Sequence, residues 1–176
     1  MLPPMAVLVR YEGARDRAAS AQCKQVASHA RRMLRALQLT HSELSVLLCD
    51  DRVMRQLNHA HRKLDRPTDV LAFALGEGRP MVTAQPALGD IAIALPTARR
   101  QARSHRWPPE LEICLLLAHG LLHLLGQDHP TRAAERRMMA RAHLLMAAGL
   151  AGRGRRGWTS PLPPAHQARG SAARRG

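Results

Sequence analysis

His119, His123 and His129 are the residues of this 176-residue chain whose type and spacing most directly suggest chemistry. His119 and His123 stand four apart inside the apolar run 113–126. On a helix both imidazoles then leave one face, about 6 Å apart along the axis, as two ligands of one zinc ion require. Gly126 comes three residues after His123. A glycine there can turn left-handed, end the helix and bring His129 back as a third nitrogen ligand. Three protein ligands leave a position for water, so the pattern predicts a site of catalytic type, structural zinc being normally closed by four. A lone histidine on an apolar helix is usually a core residue with a hydrogen-bond partner. The third histidine and the glycine are what favour a metal.

The same H-x-x-x-H-x-x-G-x-x-H spacing belongs to the metzincin peptidases, which place a glutamate directly after the first histidine as general base. Here that position is Gly120, so a peptidase reading keeps its metal and loses its base. No phosphate-binding P-loop, dinucleotide-binding glycine motif or serine-hydrolase elbow occurs, which sets aside the chemistries those motifs serve. Charge points elsewhere: 27 Lys and Arg against 13 Asp and Glu give +14, and such a surface favours polyanionic partners, nucleic acid first. Aromatic residues are only 2% of the chain, which argues against recognition by stacking bases on exposed rings and for contact with phosphates.

The histidines need a scaffold, and hydrophobic periodicity supplies one. Residues 5–9 suit an edge strand, and Val26, Ala30, Met33, Leu34 and Leu37 fall at helical spacing after it. Residues 44–49 read as a buried strand feeding a helix over 52–62, capped by Asp50 or Asp51. Residues 69–75 and 91–95 are two further strands joined by a Gly/Pro-rich loop over 76–86. A helix follows over 96–101, and Pro108 and Pro109 open the histidine helix, with Glu110 and Glu112 toward its positive end. Met138, Ala142, Leu145 and Met146 mark a last helix. The order β-α-β-α-β-β-α-α-α predicts an α/β (α+β-like) fold, a single domain over residues 1–150 with a small mixed sheet. Residues 151–176, rich in Gly, Pro, Ser and Arg, are expected to be a disordered basic tail.

Cys23, Cys49 and Cys114 are widely spaced and odd in number, which suits buried thiols in a reducing compartment. No secretory signal is legible at the N-terminus, and the run 113–126 is too short to cross a bilayer. The expectation is a cytoplasmic protein without membrane association.

The segment from His119 to Asp128 and His129 resembles the signature of the YbeY family of bacterial and organellar endoribonucleases that mature ribosomal RNA. Two other stretches agree. Leu57-Asn58 through Arg62, then Asp65-Arg66-Pro67-Thr68-Asp69-Val70-Leu71-Ala72-Phe73, is similar to the family's central arginine and its T-[DN]-V-L-S-F strand, and Leu88-Gly89-Asp90-Ile91 to its L-G-D-I strand. Ala72 departs from the usual serine, and Gln127 from the usual aromatic. The resemblance implies one zinc ion on His119, His123 and His129, with Arg62 holding a phosphate and offsetting charge in the transition state. Asp90 and Asp128 are candidates for orienting a ring or moving a proton, or equally turn and cap residues, and Asp69 is read as structural. The general base is unassigned: it is open whether hydroxide at the metal serves with Arg62 positioning the substrate, or whether the attacking group is the RNA's own 2′-hydroxyl.

What the resemblance implies is a single-strand-specific, metal-dependent endoribonuclease acting in maturation of the 3′ end of small-subunit (16S) rRNA and in ribosome quality control. Its partners would be ribosomal RNA, the pre-ribosome or ribosome, and ribosomal proteins. Two alternatives are a zinc metallopeptidase and a non-enzymatic ribosome-assembly factor whose metal only staples the fold.

Overall fold

The structure, a computed structural model, describes residues 5–75 and 87–151. The loop expected over 76–86 and all but the first residue of the expected tail lie outside the described residues. In chain order the elements are β1 (Ala6–Glu12), α1 (Ala19–Ala36), β2 (Glu43–Cys49), α2 (Asp51–Arg62), β3 (Val70–Ala74), β4 (Ala87–Ala94), α3 (Leu95–His105), α4 (Pro109–Leu124) and α5 (Arg132–Leu150).

The strands form one mixed sheet in the order β1-β2-β4-β3. β1 runs parallel to β2 with Val9 opposite Val46, β2 parallel to β4 with Val46 opposite Ile91, and β3 antiparallel to β4 with Val70 opposite Ile93. A parallel pair needs a long crossover, and the 18 residues of α1 supply it between β1 and β2. The pleat sends Leu44, Val46, Leu48, Ile91 and Ile93 to one face, where they join Val26, Met33 and Leu34 of α1, most of α4, and Met138, Ala142 and Leu145 of α5 in the main core. Leu71, Ala92 and Ala94 point to the other face and meet Val53 and Met54 of α2.

α4 is buried on nearly every side, from Leu111 to Leu124, because α1, α3, α5 and the sheet all pack on it. Each such leucine contributes roughly 1.5–3 kcal/mol by leaving water, so the site's principal helix is also the most firmly held. Its Glu112 does more than face the helix's positive end: the buried carboxylate accepts from Trp107 Nε1 at 2.7 Å and meets His105 Nδ1 at 2.8 Å.

The elements agree with the sequence reading in kind and order, and boundaries moved where caps or packing decide them. α1 starts at Ala19, seven residues before the first periodic apolar residue, and Leu95 opens α3 instead of closing β4. Asp50, not Asp51, is the cap of α2, accepting from Val53 N at 2.8 Å. That bond, with a second from Ala14 N, holds its carboxyl below the usual range against the opposing effect of partial burial. Cys49 and Cys114 are buried thiols pushed up to about 12 by desolvation, with no disulfide. Among the described residues no helix is long and apolar enough to cross a membrane.

Candidate metal centre

α4 delivers His119 and His123 from adjacent turns, their Nε2 atoms 3.1 Å apart. The helix then ends in a Schellman motif: Gly126 N donates to His123 O at 2.9 Å and Gln127 N to Leu122 O at 3.1 Å, with Gly126 at φ +78°. That left-handed glycine turns the chain so that the ring of His129 lies 5.2 Å from that of His123 and 5.5 Å from that of His119. One nitrogen from each histidine falls within a common span of 4.8 Å.

The three imidazoles fit a single metal ion. Two nitrogen lone pairs do not rest 3.1 Å apart without a proton or cation between them, and tetrahedral zinc with bonds of about 2.0–2.1 Å sets its nitrogens about 3.3 Å apart. Burial, reinforced by His123 and His129, pushes His119 down to about 4. Burial and His129 lower His123 as well, Arg62 adds to this, and Asp128 opposes it. Neutral imidazole is the ligating form, so the site keeps these two rings in that form at neutral pH. Nδ1 of His119 is buried without a hydrogen-bond partner among the described residues.

A cleft of about 310 Å³ opens over the histidines, lined also by Arg62, Thr68, Asp69, Val70, Ala72, Gly120 and Asp128. Arg62 is exposed at the last turn of α2 and pairs with no carboxylate among the described residues. Its turn is fixed behind it. Lys63 takes φ 60°, Asn58 Nδ2 donates to Arg66 O at 2.7 Å, and Arg55 grips both carboxylate oxygens of Asp65. These bonds shape the segment that enters β3. Asp69 stands at its start, accepting from Val70 N at 2.8 Å, Thr68 Oγ1 at 3.1 Å and Gln101 Nε2 at 2.9 Å. A carboxylate with those bonds anchors the strand, and it adds negative charge near His119.

The other carboxylates divide. Asp128 lines the cleft with its Oδ1 accepting from His129 N at 2.7 Å, the geometry of a turn residue that also fixes the third histidine. Asp90 does not reach the cleft. It alternates with Ile91, which packs under α4, and so points to the face that holds Ala92 and α2, where it is exposed. Period-2 alternation puts it on the side of the sheet away from α4, so this placement lends no support to a part in the chemistry. Ala72 lines the cleft, whereas Gln127 lies outside it, accepting from Arg141 Nη1 at 3.1 Å.

Gly120 has a physical reason to lack a side chain. A Cβ there would lie 3.0 Å from Ile91 Cγ2 and 3.3 Å from Val70 Cγ2, both on the sheet against which α4 is pressed. A side chain at this position, the metzincin-type glutamate included, would ask the Ile91 and Val70 side chains to give by a few tenths of an ångström. Thr68 and Val70 are cleft residues that motif reading quoted without giving them a part in the site. Their signal is the step from α2 through 63–69 into β3, which only the packing of α2 and β3 around the cleft discloses.

Fold and centre together define an α/β protein with three histidines able to hold one metal ion beside an unpaired arginine. The chain belongs to the YbeY endoribonuclease family, whose description, Endoribonuclease YbeY, matches residues 11–148. Proteins named Endoribonuclease YbeY are similar to it. That of Synechococcus sp. (strain JA-2-3B'a(2-13)) is 47% identical over 111 residues, covering 60% of this chain and 68% of that protein. The one from Anaeromyxobacter sp. (strain Fw109-5) is 43% identical over 150 residues, 84% of this chain and 74% of that protein. A third, from Myxococcus xanthus (strain DK1622), is 48% identical over 112 residues, 63% of this chain but only 38% of that longer protein. The solution structure of TM1509 from Thermotoga maritima shares the fold, with a TM-score of 0.55 at 21% identity over 81% of this chain and 89% of that one.

Proposed function

We propose that this chain is an endoribonuclease that cuts single-stranded ribosomal RNA at one zinc ion held by His119, His123 and His129, in maturation of the 3′ end of small-subunit rRNA and in ribosome quality control in the cytoplasm. The observation that carries the reading is the convergence of three imidazole nitrogens within 4.8 Å on a cleft that also holds Arg62, in a chain of this family.

Zinc bound there would supply Lewis acidity toward a phosphoryl oxygen and a lowered pKa for water. Every other part belongs to side chains of this protein. Arg62 presents a planar fork to the phosphate and offsets the charge that grows on its oxygens as the bond breaks. Asp128 holds the turn that aims His129, and Asp69 fixes the strand that forms one wall. Single-strand specificity is taken from the family resemblance; Val70, Ala72 and Gly120 contribute only small groups to the cleft wall. No side chain is placed as a glutamate base, and the RNA's 2′-hydroxyl or solvent serves as nucleophile. Phosphate-directed recognition carries little sequence information, so selectivity falls to the structure of the pre-ribosome and its proteins. The test is cleavage of a labelled rRNA fragment by Arg62→Ala. Cleavage falling about 10²–10³-fold with zinc content unchanged supports the role, and retained cleavage rejects it.

A further inference from the structure

The cleft has a basic neighbour that the chemistry just described does not use. α5 starts at Arg132, three residues beyond His129, and carries Arg132, Arg136, Arg137 and Arg141 against the single acid Glu135 over its first ten residues. All four arginines are exposed. Spacing by four lays them in two rows, Arg132 with Arg136 and Arg137 with Arg141, over about 15 Å of helix. Arg141 is tied to the edge of the site, donating to the side chain of Gln127, the residue before Asp128.

Their charge is not cancelled. Arg10, Arg55, Arg99 and Arg100 each face a carboxylate, whereas Arg132, Arg136 and Arg137 have no ion pair or hydrogen bond among the described residues and Arg141 reaches only an amide oxygen. Cations in a helix's first turns also oppose its dipole, whose positive end lies there. An arrangement unfavourable to the isolated helix is relieved when anions bridge the arginines. At the cleft itself Arg62, the last residue of α2, is a further exposed cation, with Lys63 as the helix's C-cap.

We infer that the arginine rows of α5 bind the backbone phosphates of the RNA strand where it leaves the cleft, extending the substrate site beyond the cut bond. The inference rests on the endoribonuclease reading for its ligand. It assigns to α5 affinity and strand placement, not bond breaking. RNA too short to reach α5 gains nothing from it, and longer RNA gains affinity that salt removes, by a slope of about 0.7 per phosphate contact in single strands.

The experiment measures binding of uncleavable 2′-O-methyl RNA to the zinc-loaded full chain, with a strand of roughly 20 nucleotides and a trinucleotide, across roughly 50–200 mM salt. Wild type is compared with the double variants Arg136→Gln/Arg137→Gln and Arg136→Lys/Arg137→Lys. The glutamine pair is expected to weaken the long strand about fivefold or more at low salt and to reduce the slope by about 1.4, with the trinucleotide and zinc content unchanged. The lysine pair is expected to stay near wild type, which separates charge from folding. Unchanged long-strand affinity and slope in the glutamine pair would overturn the inference, as would equal loss for both RNAs or absence of RNA binding by wild type. Because nothing is cleaved, this outcome is independent of the nuclease reading, which fails instead through lack of chelator-sensitive cutting.

Discussion

His119 sits where its two ring nitrogens have opposite fates, one 3.1 Å from His123 and the other buried without a partner among the described residues. Its pKa near 4 against an ordinary 6.5 means the fold refuses a proton that the unfolded chain accepts. The sign follows: between pH 6.5 and about 4 the unfolded state binds more protons at this residue, so metal-free protein loses stability as pH falls through that window. Urea midpoints at pH 7 and pH 5 should therefore drop more for wild type than for His119→Gln, and equal drops would remove the argument. Arg62 presents the other residue-level contrast. Arg62→Lys keeps the charge but loses the planar fork, so cleavage is expected to fall about tenfold or more with little change in KM, as measured by steady-state kinetics. Much of this was legible in the residues themselves. The histidine triple and Arg62 are read from spacing and motif, while the roles of Asp90 stayed open because a motif does not say which face of a strand its residues occupy.

α4 and its exit show how elements turn spacing into a site. The helix ends where it does because Gly126 can hold φ +78°, and a Cβ there meets nothing but pays conformational strain. Gly126→Ala is thus expected to cost about 1 kcal/mol in thermal unfolding and to weaken zinc affinity by displacing His129, as a competition titration with a chromophoric chelator would read. Gly120 is constrained by neighbours instead of dihedrals. Gly120→Ala brings a methyl within 3.0 Å of Ile91 Cγ2 and 3.3 Å of Val70 Cγ2, and is expected to destabilise by about 1 kcal/mol in chemical denaturation where these side chains do not yield, an unchanged midpoint showing that they do. The sequence showed that position 120 lacks the peptidase glutamate, but not why. The close approach of α4 to the sheet is a tertiary fact, as are the seven residues by which α1 exceeds its apolar pattern and the buried role of Glu112.

At the level of the whole molecule, element order limited the fold to an α/β or α+β arrangement, yet strand order did not follow from it. The sequence β1-β2-β4-β3 arises because α1 carries the chain back to a parallel neighbour, while β3 and β4 pair antiparallel at the far edge. That edge is where α2, β3 and α4 meet to form the cleft, so the site depends on a pairing that no local pattern specifies. A metal bound only by the folded chain also stabilises it. Zinc at 100 times its dissociation constant is expected to add about 2.7 kcal/mol to the unfolding free energy, and a chelator to remove it. Whether the three histidines form the catalytic centre of an RNA-cutting enzyme is decided by incubating a labelled single-stranded rRNA fragment with the purified chain, with and without chelator, beside His123→Ala purified identically. Cleavage is expected from wild type alone, abolished by chelator and restored by added zinc, with the variant folded and silent. Cleavage that persists in the variant, or none from folded, zinc-loaded wild type on RNA presented in the pre-ribosome, would contradict that assignment.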